Sequence, residues 1–155
     1  MATHTWLRYT VALGAAWLTL LGLVPVLAQS GLAVSRANPT ATASGTTVGI
    51  FPMANLAARD HRGLICTGFA DTNPDYVLTL QDSFEQLTIR VDSGGNDTTL
   101  LVKGPNDVVR CGEDVDRRNL DAQIQDGGWG PGTYSIWVGA HNQGQRYTYS
   151  LIVSP

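Results

Sequence analysis

Sulfur and imidazole are scarce in this chain of 155 residues, which has two cysteines, two methionines and three histidines. Cys66 and Cys111 have no histidines at matching spacing, so they do not make a zinc site. Charge is also sparse: Asp, Glu, Lys and Arg together make up 15% of the chain, and the formal net charge is −3. No basic run offsets that balance, which excludes a general nucleic-acid binder, since such a protein needs a cationic face to neutralise phosphates. Beyond the N-terminal apolar run no stretch keeps a helical period, which argues against an all-helical fold. The length leaves room for one domain with a real core and too little for two.

What is present begins with an export signal. The apolar run Val11 to Leu27 follows Arg8, and Val26 and Ala28 supply small residues at the −3 and −1 positions of a cleavage site after Ala28. A retained membrane anchor is the competing reading, although Gly14, Gly22 and Pro25 weaken the run as a permanent helix. Residues 1–28 are therefore expected to be a signal peptide, with no membrane segment left after cleavage and a secreted or periplasmic mature protein. Two cysteines in an oxidising compartment are expected to form one disulfide, Cys66–Cys111. Closing a loop of about 45 residues would contribute about 4 kcal/mol on the chain-entropy model.

Residues 29–47 are small and polar, and the expectation is a flexible leader that cannot bury enough surface to order itself. Residues 48–155 read as the domain. Pro52 makes Val48 to Ala58 an edge strand or packed arm rather than a helix. Strand-like runs follow at Leu64 to Phe69, Tyr76 to Leu80, Gln86 to Val91, Thr98 to Lys103, Val108 to Cys111, Ala122 to Ile124, Thr133 to Val138 and Tyr147 to Val153. Leu87, Ile89 and Val91 alternate with Thr88, Arg90 and Asp92, so this strand has one wet face. Turns rich in Gly, Pro, Asn and Asp separate the runs, and the spacing predicts an all-β fold, a single antiparallel β-sandwich or jelly roll.

The succession LTIRV, DSGGNDTTLLVKGP, CGED, PGTYSIWVG and YTYSLIV resembles the bacterial pre-peptidase C-terminal (PPC-like) domain family over Phe69 to Val153. Asp97-Thr98-Thr99-Leu100, the acidic turn after Cys111 and Pro131-Gly132-Thr133-Tyr134 are the most specific pieces. The resemblance implies a non-catalytic β-sandwich module of a secreted bacterial protein, of a kind that sits beside protease domains, some relatives binding matrix polymers or calcium. No protease domain is expected within these 155 residues, a departure from the family's common arrangement.

The carboxylates after Cys111 form the most suggestive group. Glu113, Asp114, Asp116 and Asp121, with Asp97 or Asp107 arriving from neighbouring turns, are candidate oxygen ligands for Ca²⁺. The spacing is not that of an EF-hand, and Arg117 and Arg118 could instead neutralise a solvated acidic loop. Trp129 and Trp137 are candidates for an aromatic binding face, Trp129 being the better one because it lies in a glycine-rich loop. Either Trp137 is exposed or both faces of its strand are covered.

Asp92-Ser93-Gly94-Gly95 resembles the nucleophile motif of trypsin-like serine proteases, which raises a small serine hydrolase using Ser93 as an alternative. That alternative requires His61 or His141 within hydrogen-bond reach of Ser93. A hairpin turn explains the same residues without chemistry. Asn96-Asp97-Thr98 is both a glycosylation sequon and a tight turn. The leading expectation is a secreted accessory module that presents the loops near Glu113 to Asp121 and Gly127 to Pro131 to an extracellular polymer or protein. A structural cell-envelope protein is a further alternative, to be recognised by an extended exposed apolar patch.

Overall fold

The computed structural model describes residues 30–155, so the signal-peptide reading of residues 1–28 lies outside the described residues. Among the described residues eleven strands form one strongly curved sheet. They are β1 (Ser30–Val34), β2 (Ala41–Thr46), β3 (Phe51–Pro52), β4 (Phe69–Ala70), β5 (Tyr76–Leu80), β6 (Phe84–Asp92), β7 (Thr98–Lys103), β8 (Val109–Asp116), β9 (Asn119–Trp129), β10 (Gly132–Ala140) and β11 (Thr148–Ser154). The order β1-β5-β10-β7-β8-β9-β6-β11-β2 brings the sheet almost round on itself, giving an all-β, nearly closed sandwich or barrel.

β8 joins the two layers. Its first half, Val109 to Gly112, pairs with β7, and Glu113 to Asp116 pairs with β9. At the bend between the halves a Cβ on Gly112 would stand 2.5 Å from the Gln123 carbonyl oxygen, so only glycine allows the strand to turn there. Alternation then fills the interior. Leu87, Ile89 and Val91 of β6, Leu151 and Val153 of β11, and Leu100 and Val102 of β7 meet in the main core. Thr88 and Arg90 lie on the other face of β6.

The residues expected to be a flexible leader instead form both margins of the sheet. β1 runs parallel to β5 from Ser30↔Tyr76 to Val34↔Leu80, and β2 runs antiparallel to β11. Leu32 and Val34 are buried in the main core. Backbone pairing to existing strands orders this segment, so it needs few large side chains of its own.

An arm, residues 48–70, covers the outer face of the layer containing β7 and β10. It enters through β3, makes a single helical turn (Met53–Leu56), runs along the layer and returns as β4, which pairs with Ala140 of β10. Beneath it Met53, Cys66, Ala70, Leu101, Cys111 and Trp137 form a second core. The expected Cys66–Cys111 disulfide is present, with Cα atoms 5.4 Å apart, and ties the arm to β8. Both faces of β10 are thus covered, which places Trp137 inside. The expected strand at Leu64 to Phe69 reduces to Phe69–Ala70 and an Arg59↔Ile65 bridge.

Candidate functional site

The strand register separates two ends. One carries the 93–97 and 116–119 turns and His141, and collects Asp92, Asp97, Asp114, Asp116 and Asp121. The other carries the 104–108 and 130–131 turns and the tip of the arm.

At the acidic end the carboxylates hold turns in place. Asp121 is 2% exposed and accepts from Ser93 N (2.8 Å), Ser93 Oγ (2.5 Å) and Gly95 N (3.1 Å), which fixes the Ser93-Gly94-Gly95 turn against β9. Asp116 is exposed and caps its own turn through Arg118 N (2.7 Å) and Asn119 N (3.0 Å). Glu113 is half-buried and accepts from the Thr67 hydroxyl of the arm; burial pushes its carboxyl up from the usual range, while the Thr67 bond and the nearby His141 pull it down. Asp114 lies exposed on β8, and Asp97 faces His141 at 3.9 Å. Asp107 lies at the opposite end, in the 3-10 turn Pro105–Asp107.

The four candidate calcium ligands therefore do not converge. Glu113 and Asp114 are successive strand residues and leave by opposite faces, the β8–β9 register shifts between Asp114 and Asp116, and Asp121 is engaged across the hairpin. Among the described residues no group of three or more His, Cys, Asp or Glu could hold a metal ion.

The hydrolase arrangement is also not formed. The Ser93 hydroxyl donates to Asp121 and approaches the Asn96 carbonyl, and neither histidine is a hydrogen-bond partner. His61 is bonded at the far end and His141 faces Asp97. Asn96 donates its amide to Ser93 O, and the Thr98 hydroxyl, fully buried, accepts from Ala122 N, so the sequon serves as a turn.

The two tryptophans are not an exposed platform. Trp137, 7% exposed, packs under the arm. Trp129, 1% exposed, closes the end of β9, with Nε1 donating to Asp126 O at 3.0 Å and its ring tilted against Tyr134 at 5.3 Å. Burying an indole ring that can still satisfy its one N–H is the more favourable outcome.

Around Trp129 lies a group that did not stand out in the sequence. Arg110 is opposite Val102, a main-core residue, so its side chain enters the end of the barrel. Its guanidinium lies 4.0 Å over the Trp129 ring, Nε donates to Asp126 Oδ2 at 2.8 Å, and Nη2 donates to the Gly127 and Gly128 carbonyls at 3.1 and 3.4 Å. The same Asp126 oxygen meets His61 Nε2 at 3.2 Å, while His61 Nδ1 faces the Val109 carbonyl at 3.0 Å. His61 reaches there because Asp60, buried at the arm's tip, accepts from Arg62 N and Leu64 N and folds the tip back.

Arg110 lines a cavity of about 270 Å³, whose walls include Pro105, Val108, Pro131 and Tyr134. A Cβ on Gly104 would come within 2.4 Å of Tyr134 Cε1, so glycine there lets the 104–108 turn close onto the ring. Tyr134 in turn donates to the Gly130 carbonyl at 2.8 Å and ties down the opposite turn. A second depression of about 470 Å³ shares Gly128 and Gly130 with it and lies against Trp129, Phe84 and Arg36. The arrangement can offer a fixed cation and a shaped apolar recess. It contains no nucleophile with a base beside it. Strand parity is the signal that could have revealed it: if Cys111 reaches outward to the arm, Arg110 must face inward.

No family model matches this chain, and no curated protein matches it either. Among solved structures it is similar to PliG of Aeromonas hydrophila, a periplasmic inhibitor of g-type lysozyme, at 16% identity and a TM-score of 0.45, over 81% of this chain and 96% of that one. It is similar at 16% identity and a TM-score of 0.44 to the pre-peptidase C-terminal domain of a Bacillus anthracis collagenase, over 81% and 96%. CorA, a surface-associated copper-binding protein of Methylomicrobium album BG8, matches at 11% identity and a TM-score of 0.43, over 81% and 97%.

Proposed function

We propose that this chain is a secreted or periplasmic, non-catalytic binding module that contacts an extracellular polymer or protein through the end of the barrel formed by the 104–108 and 130–131 turns. The observation that carries the reading is the cavity beside Arg110: a recess at the loop end of a rigid β scaffold, with a fixed cation in its wall. The disulfide supports an oxidising compartment. Ser93, engaged by Asp121, gives no support to hydrolysis. The exposed large apolar residues are divided between the arm, Val48 and Ile50 where it enters and Leu64 and Ile65 where it returns, and Val115 on β8, which does not favour a packing role in the envelope.

The test is binding of purified residues 29–155 to an array of glycans, peptidoglycan and matrix proteins, compared with Gly130→Trp. Gly130 lines both depressions, and a Cβ there meets nothing within 4 Å, so a larger side chain can be placed at their shared border without a backbone clash. At least one partner should bind the native chain and lose most of its affinity for the variant. An array without a single binder, or binding that Gly130→Trp leaves intact, would sink the reading.

A further inference from the structure

Arg110 is 5% exposed, yet its hydrogen-bonding capacity is not filled. Nε and Nη2 are engaged, whereas Nη1 has no hydrogen-bond partner among the described residues. Among the described residues the buried side-chain nitrogen or oxygen without a partner is Arg90 Nε, so Nη1 of Arg110 is not sealed in protein but keeps some solvent access, and the depression that Arg110 lines is this cavity. An arginine cannot lose its charge, and a donor left unmatched in a largely apolar recess favours an acceptor brought by something else.

The charge of that acceptor follows from the lining. Among the described residues Arg110 is the charged residue in the cavity wall, and no carboxylate lines it. Asp126, which balances Arg110 from behind, shares its Oδ2 with His61 and lies outside the lining. The guanidinium is already held by its contacts with Asp126, two carbonyls and Trp129, so little entropy is lost when it meets an anion.

Size separates the sources. At about 270 Å³ the cavity falls below the roughly 300–1,000 Å³ typical of pockets that enclose a free small molecule, and it suits a single inserted side chain. Resting on the binding-module reading above, we propose that the Arg110 cavity is a docking site for one acidic side chain, Asp or Glu, of a partner polypeptide. Pro105, Val108 and Tyr134 cover its aliphatic stem, Nη1 of Arg110 meets its carboxylate, and Asn106, also in the lining, offers an amide donor.

The experiment follows the Trp129 indole N–H and the Arg110 Nε–H by NMR in the full mature chain. The probes are acetyl-Gly-Glu-Gly-amide, the matched Gln peptide and galacturonate. Asn106→Asp supplies the variant: Asn106 sits at φ 56°, a conformation that aspartate shares with asparagine, so the shape is kept while a like charge enters the cavity. The Glu peptide should give saturable shifts at both reporters, with affinity reduced about tenfold or more for the Gln peptide and for Asn106→Asp. Equal affinity for the Glu and Gln peptides, no saturation, or indifference to Asn106→Asp would overturn the carboxylate site. Galacturonate binding more tightly than the Glu peptide would overturn the polypeptide assignment. If the array of the preceding section yields a partner that Gly130→Trp abolishes while the Glu peptide fails, the acidic-side-chain inference falls and the module reading stands; an array without a binder removes the module reading itself.

Discussion

The acidic end and the cavity end use charged side chains in opposite ways. At the acidic end carboxylates are plentiful and turned onto their own backbone: Asp121 holds the Ser93 turn, and Asp116 closes the hairpin between β8 and β9. At the cavity end a single arginine stands in an apolar wall, held from behind and open in front. An abundance of ligand-type residues thus marks a place where the fold satisfies itself, and one charge at a core-facing position marks the place that can take something from outside. A crowd of acids in a turn-rich sequence reports local capping first.

The most severe way to break this contrast is Arg110→Met. It leaves the Asp126 carboxylate without its guanidinium and takes the cation off Trp129, and removing one partner of a buried pair costs about 3–5 kcal/mol. Adding Asp126→Asn should recover part of that loss, because the stranded charge disappears with it. Urea unfolding of the two single variants and the double variant measures the coupling; a loss under about 1 kcal/mol for Arg110→Met would mean that the pair behaves like a surface ion pair.

The matching change at the acidic end is milder. Asp121→Ala strips the acceptor from two backbone N–H groups and a hydroxyl in a partly buried turn, for an expected loss of about 2–3 kcal/mol. Asp121→Asn keeps one acceptor oxygen and should lose about half as much. Equal losses for the two variants, read by thermal unfolding, would show that charge rather than hydrogen bonding holds the turn.

A smaller effect has a definite sign. Burial raises the Asp75 carboxyl from 3.8 to about 6, although the Val138 N–H donates to it at 2.8 Å. Between about pH 4 and pH 6 the folded protein therefore holds a proton that the unfolded chain has released, so stability falls as pH rises through that window and levels off above it. Allowing for the partial exposure of Asp75, the fall should be about 1–2 kcal/mol. Asp75→Asn retains an acceptor for Val138 without the charge, so it should raise the unfolding midpoint at pH 8 and flatten the profile between pH 4 and 6. A variant that is less stable at both pH values would reverse the assignment.

How much of this was legible in the sequence depended on whether a segment carried its own pattern. From Tyr76 onward each strand alternates or runs apolar, and each expected run lies in an observed strand, though Val108 and Tyr147 fall just outside theirs. β1 and β2 carry no such pattern: residues 30–46 can bury little on their own and are ordered by pairing with β5 and β11. A glycine-rich context suggests a loop for Trp129, and strand alternation leaves Trp137 either exposed or covered on both faces; the arm over Trp137 and Arg110 over Trp129 are long-range contacts with no local signature. Arg110 was legible in principle through its parity with Cys111.

Calcium should produce the smallest effect of all, and it bears directly on the contrast. If Glu113, Asp114, Asp116 and Asp121 are tied to Thr67, to turns or to solvent rather than aimed at one point, a divalent cation meets only scattered carboxylates, and its influence is that of ionic strength. A ligand bound only to the native state must raise the unfolding midpoint as its concentration passes its dissociation constant. Calcium and magnesium at matched ionic strength should therefore give the same midpoint, and a chelator should not lower it. A rise specific to calcium that Asp114→Asn and Asp116→Asn abolish would mean that the acidic end gathers its carboxylates around an ion, and the division between a self-satisfied end and a receptive one would have to be redrawn.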